Sequence, residues 1–322
     1  MRGQAAKRDL MNADWQVVPL NFNIRLLRSG RFSAFKGITL RGAFGIQFRR
    51  TVCATRLLVC DDCRLLKTCA YPYVFNTLAE PSEEPSLRSH RTHAPHPFAI
   101  RAPADDRTDV PEGTEWSFRF SLIGHSRSLL PYFIHAFMRL ETIGLGSERV
   151  PFELLSVTAP LAAGDWEVYR KGSPALRYPS EAHKWPADGK AASATITFRS
   201  LTRIKSEGRI ARELPFVAFA RAILRRVSAL HTLYCGPLPE RDNRMLLAEA
   251  EQIKIVESSL KPITIDRFST RTKQRMIFDG VVGSITFTGK LDNWLPYIIA
   301  VADINVGKGA TFGFGVVDVI VH

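Results

Sequence analysis

Two stretches decide the fold, WSFRFSLIGHSRSLLPYF at 116–133 and VVGSITFTGKLDNWLPYI at 281–298. In each, an alternating apolar run ends at a glycine, Gly124 or Gly289, and Leu-Pro-Tyr follows six residues later. A helical apolar stretch comes next, then a glycine loop, then a strand-like run at 150–158 or 315–321. The fronts of the two halves match as well. Residues 17–27 and 194–204 alternate as strands, and 40–52 and 214–230 carry apolar residues at helical spacing. Pro215 suits the first turn of its helix. Middle strands are expected at 97–103, 115–123, 262–268 and 275–288, and a short helix over MLLAEAEQIKIV at 245–256. Strand–helix–strand–strand–helix–strand, twice, is the order of the ferredoxin-like or RRM-like domain.

The expected architecture is therefore α+β, a tandem of two such domains at 15–160 and 193–322. A glycine-, proline- and lysine-containing linker at 161–192, with room for a short hairpin, joins them. A cysteine-rich insert at 53–77 and a polar, proline-rich stretch at 78–96 interrupt the first domain.

With 322 residues, 45% hydrophobic and 23% charged, the chain can bury a real core. No apolar run is long enough to cross a bilayer, and the basic N-terminus has no apolar segment after it, so neither a membrane nor a secretory route is expected. Four of the five cysteines crowd into 53–69, which fits a reduced, cytoplasmic chain better than a disulfide scaffold. A net charge of +13 favours a polyanionic partner. Neither half carries the aromatic-rich strand by which RRM domains stack bases.

The loop Gly307-Lys308-Gly309-Ala310-Thr311-Phe312-Gly313-Phe314-Gly315 could bring backbone amides close to a phosphate chain. It runs into a strand, not a helix, so it is no nucleotide-binding P-loop. The domain topology puts the first strand-to-helix junction and the loop before the last strand at one end. Arg28, Arg31, Lys36 and Arg41 are thus expected near the loop of Gly144 and Gly146. Arg203, Lys205, Arg209 and Arg212 are expected near Gly307, Lys308, Gly309, Gly313 and Gly315. Cys53, Cys60, Cys63 and Cys69 are spaced to give four sulfur ligands to one ion, with structural zinc the first expectation and an iron–sulfur cluster the alternative.

The ending VGKGATFGFGVV resembles the glycine-rich signature of the RAMP superfamily of CRISPR-associated proteins. LRGAFG at 40–45, the cysteine block ending CAYPYVFN, GLGSER at 144–149 and TFRSLTRIKSEGRI at 197–210 resemble, in this order, the CRISPR precursor-RNA processing endoribonucleases, the sixth Cas family. The resemblance spans about 20–320. It implies binding of CRISPR repeat RNA and its metal-independent cleavage: a 2′-hydroxyl attacks the adjacent phosphate, leaving a 2′,3′-cyclic phosphate. It implies the product crRNA and other Cas effector subunits as partners, in antiviral defence. The family commonly places a histidine near the first helix. Between Gln16 and Val52 this chain has neither histidine nor tyrosine. Arg31, Lys36 and Arg41 are therefore the expected catalytic cations, since arginine clamps phosphate and offsets phosphorane charge. His90, His93 and His96, in the proline-rich stretch, are given no role. A non-catalytic crRNA-binding subunit of the same superfamily, and a general tandem RRM-like protein, are the competing readings.

Overall fold

The computed structural model describes residues 15–76, 94–179, 185, 189–206, 208–236, 243–269 and 274–322. His90 and His93 lie outside the described residues.

The first domain opens with β1 (Val17–Leu26), the short β2 (Gly30–Arg31) and α1 (Lys36–Val52). After the cysteine segment come α2 (Ala70–Phe75), β3 (Phe98–Arg101), the short β4 (Asp109–Val110) and β5 (Glu115–Ile123). A 3-10 turn at Gly124–Leu129 leads into α3 (Leu130–Ile143), then β6 (Phe152–Leu161) and β7 (Gly164–Arg170). The sheet runs β3-β5-β1-β6-β7 and its described pairings are antiparallel. The strand β7 falls inside the segment read as a linker, and extends the first sheet as the second arm of a hairpin.

The second domain repeats the order. It has β8 (Ser193–Thr202), the short pair β9 (Lys205–Ser206) and β10 (Arg209–Ile210), and α4 (Phe216–Tyr234). Then come α5 (Asn243–Glu251), β11 (Lys254–Ser258), β12 (Lys261–Ser269), β13 (Gln274–Thr288), α6 (Leu295–Ile304) and β14 (Val317–Val321). Its sheet runs β11-β13-β8-β14, with β12 pairing along the first half of β13 and β11 along the last. Both domains are ferredoxin-like.

Leu-Pro-Tyr opens α3 at Leu130 and α6 at Leu295, each with proline in the first turn, where its missing N–H breaks no helical bond. Pro215 sits one step earlier than expected, as the N-cap of α4, its carbonyl accepting from Ala218 and Phe219. The helix expected across 245–256 stops at Glu251. The β-branched residues of Ile253-Lys254-Ile255-Val256 favour extended chain, and β11 pairs with β13 instead.

Leu40, Phe44 and Phe48, four apart, put one buried stripe of α1 against α3. The Phe44 ring lies 4.7 Å from Phe133 and 5.7 Å from Phe137, and Phe22 of β1 lies 4.7 Å from Phe137. Each such ring contributes about 1.5–3 kcal/mol of burial.

The two domains meet through apolar packing, with Trp15, Val17 and Ile123 buried in the second domain's core, and along a polar and backbone seam. Arg119 of β5 pairs with Asp303 of α6 at 2.8 Å, and Trp185 Nε1 donates to the other oxygen of Asp303 at 2.8 Å. Arg101 and Arg199, one from each domain, both hold Asp318. The buried Asn305 side chain donates to the Ile100 carbonyl across the seam, at 2.9 Å, and to Phe314 of its own loop, at 3.1 Å.

The tightest approach is at Gly37. A Cβ there would stand 2.4 Å from the Phe312 carbonyl oxygen and 3.1 Å from the Gly313 Cα. At Gly42, on the same helix, a Cβ would meet nothing within 4 Å. Alanine in place of a helical glycine ordinarily stabilises by about 0.5–1 kcal/mol. Gly42→Ala should show that gain in urea unfolding. Gly37→Ala should show the opposite sign, a loss of about 1–3 kcal/mol from overpacking.

Candidate nucleic-acid interface

The loop Gly307–Gly315 lies in the seam, and basic residues from both domains border it. On the second-domain side, the Lys308 amide donates to the Arg203 carbonyl at 2.9 Å. Arg203 donates to the Asp279 carbonyl at 2.8 Å and its guanidinium lies 5.2 Å from the Phe278 ring. The exposed Lys308 amine has its pKa lowered, first by partial burial and then by Lys205, Arg203 and Arg225 around it. These like charges raise one another's energy until an anion joins them. Arg225, exposed on α4, was missed in the sequence because it sits in an ordinary amphipathic helix. Arg209 is exposed on β10, opposite Ser206 of β9, where Lys205 pairs with Ile210, and Arg212 is exposed just beyond it.

On the first-domain side, Arg41 of α1 reaches the tip of the same loop. Its Nε donates to Thr311 Oγ1 at 3.4 Å, and its guanidinium lies 4.4 Å from the Phe312 ring and 5.6 Å from Phe75. This corrects the expectation that α1 would put Arg41 beside the Gly144 loop. The helix runs along the seam, so its first turns face the other domain's loop.

Two further expectations are corrected. Lys36 is not a surface cation. It is 1% exposed, its amine donates to the Arg107 carbonyl, and it lies 5.7 Å from the Trp116 ring. Burial lowers its pKa, against the pull of Asp105 and Asp106. In this position it braces the loop 102–108 and does not face a phosphate. Nor is the whole glycine loop free to serve as a cradle of backbone amides. Those of Lys308, Phe312, Gly313, Phe314 and Gly315 all donate to carbonyls of the protein. The glycines serve tight turning and close approach, and cationic side chains surround them.

Arg28 and Arg31 form a separate group near Gly144 and Gly146. Arg28 donates to the Glu148 carbonyl at 2.9 Å, and the exposed Arg31 pairs with Asp109 at 3.1 Å. A Cβ on Gly144 would stand 2.2 Å from the Arg149 carbonyl, so this loop too is tightly folded. Arg31, Lys36 and Arg41 thus have three different sets of partners.

Residues 15–181, more than half of the chain, match the family model AF_1859_N, N-terminal domain. Residues 196–317 match the model of the CRISPR-associated endoribonuclease Cas6. The chain belongs to the AF_1859_N family, and its second domain is that of a Cas6-type endoribonuclease. No curated protein matches the sequence. A Thermus thermophilus Cas6 structure is 14% identical, with a TM-score of 0.54, and the match covers 96% of this chain and 100% of that one. A Cas6 product complex is 15% identical, with a TM-score of 0.56, over 94% of this chain and 100% of that one. A Cas6-RT-Cas1–Cas2 complex is 16% identical, with a TM-score of 0.58, over 98% of this chain and 47% of that chain. At such identities these structures show the shared fold.

This Cas6-type chain also brings a histidine to the seam, which the sequence reading had set aside. His96 ends the proline-rich stretch just before β3. Its ring lies 6.1 Å from Phe98 and 6.3 Å from Phe75, the ring that also borders Arg41. Burial, with Arg41 and Arg226 nearby, pushes its pKa down to about 4. Nothing local in the sequence signals this, because β3, α1 and α4 meet only in the fold.

The four clustered cysteines are reduced and half-buried and line one cavity of about 430 Å³. As they stand, no three His, Cys, Asp or Glu side chains among the described residues are placed to hold a metal ion. No helix among the described residues is long and apolar enough to cross a membrane.

The lowered pKa of His96 sets a pH dependence. The unfolded chain binds its proton at about pH 6.5 and the folded one only near 4. Its contribution is therefore complete above about pH 6.5 and is lost as pH falls through about 4, up to about 3 kcal/mol in all. Between those limits, unfolding free energy should fall more steeply in the wild type than in His96→Gln. Parallel profiles would remove the effect.

Proposed function

We propose that this endoribonuclease, which binds and processes CRISPR repeat RNA, cleaves its substrate at the seam between Arg41 and the Gly307–Gly315 loop. The observation that carries the reading is the convergence of cations from both domains on one loop: Arg41 at its tip, and Lys205, Arg203 and Arg225 around Lys308 at its start.

In this reading the 2′-hydroxyl upstream of the scissile bond attacks the phosphorus, and the bond from phosphorus to the 5′-oxygen breaks. The hydroxyl gives up its proton, the leaving oxygen takes one, and the products are a 2′,3′-cyclic phosphate and a 5′-hydroxyl. A phosphorane carries more charge on its oxygens than the starting diester, so a fixed guanidinium favours it over the ground state. Arg41 is held for that task by Thr311 and by the rings of Phe312 and Phe75. The Lys308 cluster grips the flanking backbone. Buried Lys36 acts by bracing the chain beside α1, and Arg28, Arg31, Arg209 and Arg212 extend the basic surface.

The solved likeness that includes Cas1 and Cas2 makes other Cas subunits the proposed protein partners, beside the crRNA itself. Five free thiols suit the reducing cytoplasm proposed as the site of action in antiviral defence.

Cleavage of a repeat RNA under single-turnover conditions, with saturating enzyme and EDTA, tests this. Arg41→Ala should slow cleavage by about 10²–10³, the cost of one lost donor to developing charge, with binding little changed. Lys308→Ala should weaken binding and reduce the salt slope by about one unit, with cleavage at saturation unchanged. Full activity in Arg41→Ala, with loss in His96→Ala, would move the chemistry to the imidazole.

A further inference from the structure

We propose that Cys53, Cys60, Cys63 and Cys69 form a tetrahedral zinc site that ties the end of α1 to the start of α2. Each cysteine stands at a structural corner. Cys53 caps α1, its N–H donating to the Arg49 carbonyl at 2.9 Å. Cys69 immediately precedes α2, its N–H donating to the Leu65 carbonyl at 2.9 Å. Cys60 and Cys63 share one turn, closed by the Cys63 N–H on the Cys60 carbonyl at 2.9 Å. All four line the same cavity, and the Thr55 hydroxyl lies between two of them, 3.4 Å from Cys63 Sγ and 4.0 Å from Cys53 Sγ.

The segment that they enclose needs such a tie. Between α1 and α2 there is no helix or strand. Leu57, Leu58, Val59 and Leu65 are 46%, 91%, 53% and 44% exposed, so the segment has no apolar core of its own. What holds it is Arg49, donating to the Leu57 carbonyl at 2.5 Å and to the Leu58 carbonyl at 2.8 Å, with its guanidinium 5.3 Å from the Tyr71 ring. Small coreless segments are folded by disulfides or metals, and these thiols are unpaired. Zinc–sulfur bonds of about 2.3 Å would draw in the sulfurs around the cavity, and the turns that carry them can close on the ion.

The site bears on RNA cleavage through α2. That helix ends in Phe75, whose ring lies 5.6 Å from the Arg41 guanidinium and borders His96. A metal that fixes the start of α2 therefore fixes one wall of the Arg41 position. This consequence rests on the seam as the cleavage site, whereas metal binding itself does not.

The test is elemental analysis of the full chain, purified under reducing conditions without added metal, together with the rate of thiol modification. About one zinc per chain is expected, with four thiols slow to react until a chelator is added. Cys60→Ser and Cys63→Ser should lose the zinc, and Cys235→Ser should retain it. If the serine variants fail to fold, Co²⁺ exchanged into the wild-type chain should show intense thiolate-to-metal absorption. Absence of metal with all thiols reacting promptly, zinc kept in every cysteine variant, or iron with visible colour would each overturn the assignment. Zinc bound with cleavage unaffected by Arg41→Ala would overturn the seam reading alone.

Discussion

The structure depends on the close approach of Gly37 in α1 to the Phe312 carbonyl and Gly313 in the terminal loop. At this point no side chain intervenes and backbone meets backbone, while Trp15, Val17 and Ile123 of the first domain join the second domain's core and Phe35 and Ile38 pack against Phe278 and Phe314 beside it. That contact sets the direction of α1, and with it the position of every side chain on the helix. Arg41, one turn further on, meets Thr311 and Phe312 because Gly37 is where it is. The exposed cations of the second domain border the other end of the same loop.

Partly buried charge then makes the seam specific. Asp303 receives both Arg119 from the first domain and Trp185. Asp318 receives Arg101 and Arg199 from opposite sides. Removing one member of such a pair leaves a desolvated charge without compensation, which costs more than the intact pair contributes. These bonds favour the arrangement in which the basic surface is assembled across the seam. Preorganised charge of this kind is what a phosphoryl transition state requires.

The repeat was legible because it is local: alternation, glycine and Leu-Pro-Tyr mark the same turn in each domain. The strands at 115–123 and 97–103, the latter observed as Phe98–Arg101, and the paired helices follow from periodicity alone. What crosses the seam was not legible. Lys36 reads as a surface lysine, and only the fold reveals the Arg107 carbonyl and Trp116 ring that bury it. A loop with four glycines can serve phosphate binding or close packing, and composition does not separate the two. Here the amides of Lys308, Phe312, Gly313, Phe314 and Gly315 turn inward. His96 and Arg41 are far apart in the chain, and they become neighbours only through Phe75 on a third element.

The central claim is that the scissile phosphate sits against Arg41 at the seam. The most direct measurement is a structure of the chain bound to repeat RNA in which the attacking 2′-hydroxyl is replaced by hydrogen. The account predicts the scissile phosphate within hydrogen-bond reach of the Arg41 guanidinium, with the flanking backbone on Lys308 and Lys205. A scissile phosphate lodged instead beside Arg28, Arg31 and the Gly144 loop would contradict it.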